Sequence, residues 1–126
     1  MSEPTPYERI GGRAGVQALT DRFYDLMEHD PAYKALRDLH APDLRPVSAS
    51  LADFLMGWLG GPRDWFDARP GMCMMKAHTN VPITADTAEQ WRHAMARAFA
   101  DTGVEPELAA QIDQIFGRMG QALRID

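Results

Sequence analysis

Residues 51–62 read Leu51-Ala52-Asp53-Phe54-Leu55-Met56-Gly57-Trp58-Leu59-Gly60-Gly61-Pro62. Leu51, Phe54, Leu55, Trp58 and Leu59 fall at i, i+3, i+4, i+7 and i+8, which lays one continuous apolar stripe along an α-helix. A strand with one buried face would alternate with a period of two, and this stretch does not. Gly60-Gly61-Pro62 stops the helix, because two flexible residues are followed by one that lacks an amide donor.

The same spacing recurs on both sides of this segment. Upstream, Val16, Leu19, Phe23 and Met27 form a stripe with Tyr24 and Leu26 beside it, closed by Asp30-Pro31. Downstream, Trp91, Met95, Ala98 and Phe99 form a third, starting near 84–86 and ending at Asp101-Thr102-Gly103. Leu108, Ile112, Ile115, Phe116, Met119 and Leu123 form a fourth, in which Gly117 and Gly120 lower the intrinsic helix stability. Shorter helical pieces are predicted over 7–10, 32–39 and 72–77. The segment 61–71 reads as a loop with Trp65 and Phe66 turned inward. The expected fold is all-α, a single domain over 1–126 made of helices packed in crossed pairs, with residues 1–6 as a flexible N-terminal segment.

Charge and composition narrow the function. Eighteen acidic side chains face thirteen basic ones, for a net charge of −5. No cluster of Lys and Arg offers the basic face that phosphate backbones require, so nucleic acid is excluded as a partner. The single cysteine, Cys73, permits no internal disulfide and fits a reducing cytosol. The start, Met1-Ser2-Glu3-Pro4-Thr5-Pro6, is polar and lacks the basic-then-apolar pattern of a secretory signal. No apolar run reaches the length of a membrane span. A cytoplasmic protein is therefore expected, and a monomer or weak homodimer is the expected assembly.

The chemistry concentrates around His78. It follows Met72-Cys73-Met74-Met75-Lys76-Ala77 and precedes Thr79-Asn80-Val81-Pro82-Ile83. An imidazole at the end of a methionine-rich helix stands in an apolar wall. Met74 and Met75, four and three residues earlier, share roughly its helical face, and the soft thioether suits packing on a flat ring. Leu51, Phe54, Leu55, Val81, Ile83 and Met95 are available as further walls. Tyr24, His40 and Trp91 carry a phenol, an imidazole and an indole N–H that can donate hydrogen bonds into such a space. A neutral imidazole, an apolar slot and a tuned pocket opposite are what a haem requires of a protein. Donors in a dry pocket would hold a ligand that takes up negative charge on the iron. No Cys-x-x-Cys-His is present, which rules out covalent c-type attachment.

Each element also has a plainer reading. A lone histidine beside apolar residues is more often structural, Tyr24 and Trp91 can be core, and the methionines can be gap-fillers. His29 reads as a helix-end residue favoured by the dipole. His93, two residues from Trp91, points off the buried face and into solvent, and His40 at a helix end can be on the surface.

The order of the pieces along the chain resembles the truncated haemoglobins, in particular their second, O-type group. The matching pieces are Tyr7-Glu8-Arg9-Ile10-Gly11-Gly12, Arg22-Phe23-Tyr24, Phe54-Leu55 through Trp58-Leu59-Gly60-Gly61-Pro62, His78 with Pro82-Ile83, and Glu89-Gln90-Trp91. The resemblance spans most of the chain, about 7–119. It implies a compact two-over-two helical sandwich and non-covalent haem b with His78 as the proximal iron ligand. It places Tyr24, His40 and Trp91 at distal ligand-binding positions, Val47 at the distal gate and Leu51 one turn beyond. Relatives often carry arginines just before the proximal histidine to pair with the haem propionates. This chain has Met75, Lys76 and Ala77 there, which leaves Lys76 or Arg69 for that role and implies looser haem retention, because lysine cannot copy an arginine fork.

Three functions compete at this level. A globin that reversibly binds dioxygen and other diatomic ligands is favoured. A haem enzyme acting on peroxide or nitric oxide would need an external reductase. A haem-free helical interaction module is the least consistent with a histidine in register at 78.

Overall fold

The computed structural model describes residues 3–72, 78 and 80–125. Among these, every regular element is helical. The first, α1 (Pro6–Ile10), opens on a capping box: Thr5 Oγ1 accepts from the Glu8 amide at 3.1 Å, and the Glu8 carboxylate accepts from the Thr5 amide at 3.1 Å. Such a cap is worth about 1 kcal/mol. Thr5 and Pro6, expected in a flexible segment, thus belong to a capped helix, and the Tyr7 amide docks it on the Leu59 carbonyl at 2.9 Å. Gly11 turns α1 into the next helix at φ +105°, a left-handed conformation that favours glycine.

Helix α2 (Gly12–His29) buries Val16, Leu19, Phe23, Tyr24, Leu26 and Met27. Asp30 ends it and caps a 3-10 turn over Pro31–Tyr33, its carboxylate accepting from the Ala32 amide at 2.9 Å. The chain continues as α3 (Lys34–Arg37), so the single piece expected over 32–39 is two short ones. Helix α4 (Arg45–Trp58) starts well before its apolar stripe, with Pro46 in the first turn where a missing amide costs nothing.

The predicted loop over 61–71 contains a helix, α5 (Asp64–Ala68). Its cause is tertiary. Trp65 and Phe66 pack on Phe54 at ring-centre distances of 5.2 and 5.4 Å, and a Cβ on Gly57 would lie 2.8 Å from the Phe66 ring. Glycine at 57 is what admits Phe66.

The long helices α6 (Ala85–Asp101) and α7 (Pro106–Leu123) complete the fold. Thr84 and Thr87 cap α6 reciprocally. Helix α2 packs on α4, α6 packs on α7, and α2 crosses α6. Two helix pairs thus face each other, joined by a run of aromatic contacts: Phe23 on Trp91 at 5.1 Å, Trp91 on Phe116 at 5.3 Å, and Phe116 stacked on Trp58 at 5.1 Å. Surface ion pairs tie the pairs at their edges. Arg22 bridges Asp25 and Asp101 at 2.8 Å each, Arg92 grips Asp113 through two bonds of 2.9 Å, and Arg9 pairs with Glu105. Exposed pairs contribute about 0–1 kcal/mol, so they set register more than stability. Among the described residues no helix is long and apolar enough to cross a membrane.

Candidate functional site

The layers do not close between α4 and the α6–α7 pair. There they leave a cavity of about 470 Å³, the size of a small-molecule or cofactor site. Helix α4 contributes Val47, Ser50, Leu51 and Phe54, and α5 contributes Trp65, whose indole N–H is spent on Ser50 Oγ at 3.1 Å. His78, Val81 and Ile83 form part of the wall, in a stretch held by a turn in which the Val81 amide donates to the His78 carbonyl at 3.0 Å. Phe116, Met119 and Leu123 come from α7.

Tyr24 and Trp91 supply the polar atoms. Tyr24 is only 7% exposed, and its ring is held edge-on by Phe23 at 4.8 Å. Burial pushes its phenol well above the ordinary range, so it keeps its proton. Its hydroxyl and the Trp91 indole N–H have no hydrogen-bond partner among the described residues, although both side chains line the cavity. Among the described residues no buried polar side-chain atom lacks a partner, so the Tyr24 oxygen opens onto the cavity itself.

His40 differs from the expectation of a third donor. Its Nδ1 lies 2.9 Å from the Leu36 carbonyl. A carbonyl only accepts, so Nδ1 carries the hydrogen and the neutral ring has a lone pair at Nε2. Burial lowers the His40 pKa, against the opposing pull of the Leu36 bond. Its ring stands 6.0 Å from that of Tyr24. Tyr24, Trp91 and His40 therefore offer two donors and one acceptor.

Of the residues singled out in the sequence, the structure brings Tyr24, His40, Val47, Leu51, Phe54, His78, Val81, Ile83 and Trp91 to one cavity. Leu55 and Met95, expected as walls, are not there. Each is 2% exposed and packed in the core, Leu55 on α4 and Met95 one turn beyond Trp91 on α6. Arg69 does not line the cavity either. Its guanidinium lies 4.8 Å over the Trp65 ring and donates to the Trp65 carbonyl. Met74, Met75 and Lys76 lie outside the described residues, as does most of the short helix expected over 72–77. His93 is exposed, as expected, yet its Nδ1 sits 2.7 Å from the Tyr33 hydroxyl. His29 is exposed at the end of α2, beside Asp25.

Sequence reasoning missed Trp65, Thr87, Arg92, Phe116, Gly117 and Gly120 as wall residues. The glycines carried a usable signal. They lie three apart on α7, beside its apolar stripe, and a Cβ at Gly117 or Gly120 would meet the Arg92 guanidinium at 3.3 Å or the Ala88 side chain at 3.6 Å. Their helix-propensity penalty accompanies a close approach of α6 and α7 at the cavity.

An imidazole on the wall, apolar surfaces around it and two unpaired donors fit a flat apolar cofactor that carries a polar ligand. Comparison with known proteins agrees. The family model described as bacterial-like globin matches residues 5–124. The group 2 truncated hemoglobin YjbI of Bacillus subtilis (strain 168) is 29% identical over 114 residues, covering 90% of this chain and 81% of that protein. A cold-adapted truncated hemoglobin of Pseudoalteromonas haloplanktis TAC125 superposes with a TM-score of 0.92 at 32% identity, covering 98% and 99% of the two chains. The group II 2-on-2 hemoglobin of Agrobacterium tumefaciens gives 0.93 at 31% identity, covering 98% and 96%. This chain belongs to the bacterial-like globins and, within them, to the second-group, two-over-two truncated haemoglobins, a family built around haem.

Proposed function

We propose that the chain holds haem b non-covalently in this cavity, with His78 as its iron ligand, and binds dioxygen and other diatomic gases reversibly. The haem would supply an iron centre at which a gas molecule coordinates. The protein supplies the rest. Leu51, Phe54, Val81 and Ile83 exclude water from the slot. Val47 has no polar atom in its side chain, so it leaves the cavity open to small gases without adding a donor.

One observation carries this reading: the Tyr24 hydroxyl, kept protonated, opens on the cavity beside the Trp91 N–H, and neither has a hydrogen-bond partner among the described residues. A ligand that takes up partial negative charge at this place would gain charge-assisted hydrogen bonds from both. Arg69 is engaged with Trp65, and Lys76 is the remaining candidate for the propionates, which supports looser haem retention than in arginine-bearing relatives.

Absorption spectra of the ferric, ferrous and carbon-monoxide forms test the reading. Haem bands are expected that change on reduction and on adding the gas, and His78→Ala should lose the axial-imidazole signature. No haem uptake by the intact chain, or a His78→Ala spectrum unchanged from the parent, would overturn it. Transfer of haem to apomyoglobin should be fast, and slow loss would contradict the propionate argument. The acceptor nitrogen of His40 beside Tyr24 also supports a second reading, a haem enzyme with an external reductant. In that case His40 and Tyr24 hold and pass a proton, and replacing either would change peroxide or nitric oxide turnover beyond any change in ligand release.

A further inference from the structure

A second polar cluster lies outside the cavity, and nothing above uses it. Tyr33 is 1% exposed. Its hydroxyl is 2.7 Å from His93 Nδ1 and 3.2 Å from Arg97 Nη1. Arg97 also donates to Asp30 at 2.6 Å, and Asp30 faces His93 electrostatically. The direction of the Tyr33–His93 bond follows from satisfaction. A guanidinium only donates, so Arg97 occupies a lone pair on the phenol oxygen. The phenolic hydrogen then has one acceptor within reach, His93 Nδ1. A buried hydroxyl that left its proton unpaired would forfeit the full desolvation penalty.

This geometry suits one-electron chemistry. A phenol gives up an electron far more readily when its proton has somewhere to go at the same moment. His93 provides that place: it is hydrogen-bonded to the phenol, and its ring is open to solvent. Tyr33 is also close to the cavity in the chain: Leu36, one turn on, lines it.

We infer that Tyr33, with His93 as its proton acceptor, is a redox relay between the haem cavity and an exposed surface, serving the reduction of hydroperoxides by small one-electron donors. The inference rests on the haem reading above. In the step, the Tyr33 O–H bond would break, one electron would leave for the haem once a hydroperoxide had oxidised it, and the proton would move to His93 Nδ1, leaving a neutral phenoxyl radical. A one-electron reductant of the enediol class, such as ascorbate, then returns an electron at the His93 surface, and the proton returns from His93 to oxygen. Hydrogen peroxide takes two electrons and two protons to become two waters. Two passes through Tyr33 supply the electrons, and solvent supplies the protons.

The chain has three tyrosines, Tyr7, Tyr24 and Tyr33, which makes assignment tractable. Haem content is established first by absorption, so that failure of the cofactor reading shows itself separately. The ferric holoprotein is then mixed with hydrogen peroxide, freeze-quenched and examined by electron paramagnetic resonance. A phenoxyl signal is expected in the parent and in Tyr7→Phe, and its near-complete loss in Tyr33→Phe. His93→Gln keeps an acceptor but holds a proton poorly. It should slow radical formation by on the order of a hundredfold, the loss typical of removing a positioned base. If the protein takes up no haem, ruthenium-sensitised photo-oxidation of the same variants reads Tyr33 directly by transient absorption. A phenoxyl yield unchanged by Tyr33→Phe, or one that vanishes with Tyr24→Phe instead, would overturn the relay. So would a Tyr33 radical formed equally fast in His93→Gln.

Discussion

Tyr24 and Tyr33 are close in the chain, both are buried, and they are treated in opposite ways. The Tyr33 hydroxyl is satisfied by Arg97 and His93. The Tyr24 hydroxyl has no partner among the described residues and opens on a cavity. A fold that can satisfy one phenol so fully has no general difficulty in doing so, yet it leaves the other open to the cavity. The contrast separates a donor the protein uses for its own packing from one it keeps for something that is not protein.

Removing each hydroxyl should therefore produce opposite signatures. Tyr24→Phe is expected to have the largest effect on ligand release. A hydrogen bond to a partly charged partner is worth about 1.5–3 kcal/mol, so dioxygen should dissociate about ten- to a hundredfold faster by stopped-flow or flash photolysis. Unfolding stability should stay level, because the hydroxyl has no bond among the described residues to lose. Tyr33→Phe should do the reverse. Losing its bonds should cost about 1 kcal/mol, a Tm drop of roughly 2–8 °C, with dioxygen release unchanged. Equal effects of the two variants on release would erase the distinction.

Trp91→Phe sharpens the same point with a weaker donor. The ring contacts to Phe23 and Phe116 can persist, while the N–H is lost. A neutral donor is worth about 1 kcal/mol, so release should quicken by about fivefold. An off-rate unchanged in Trp91→Phe would remove the indole from the ligand's surroundings and leave Tyr24 alone there.

The sequence makes the architecture more legible than the site's walls. Four long helices follow from stripes such as Leu51 to Leu59, because burying one face forces that period. Helix α5 was hidden because five residues are too few for a period, and its conformation depends on Phe66 meeting Gly57 across the chain. Leu55 and Met95 share the patterns of Leu51 and Trp91, and periodicity does not distinguish a residue packed against a helix from one facing a void. The α7 wall was concealed for the same reason, since Phe116 and Met119 read as ordinary core. The polar residues were easier: Tyr24, His40 and Trp91 carry groups an apolar stripe does not need. What the sequence could not reveal was the bond each already makes. The Leu36 carbonyl turns His40 from a donor into an acceptor.

That change of role yields the smallest expected effect, in the pH dependence of stability. Burial lowers the His40 pKa in the folded chain relative to its ordinary value near 6.5. Between the two values the unfolded chain binds more protons than the folded one, so stability rises with pH there. The contribution of His40 is complete above about pH 6.5 and is lost as pH falls through the lower folded value. Replacing His40 by Phe keeps an aromatic ring and removes the titration, while His29, His78 and His93 remain in both proteins and cancel in the difference. Denaturant unfolding from pH 8 to pH 5 should show the parent losing more stability than His40→Phe on the acid side. If the two curves stay parallel, His40 is not held neutral by the fold, and its Nε2 is not the acceptor that faces Tyr24.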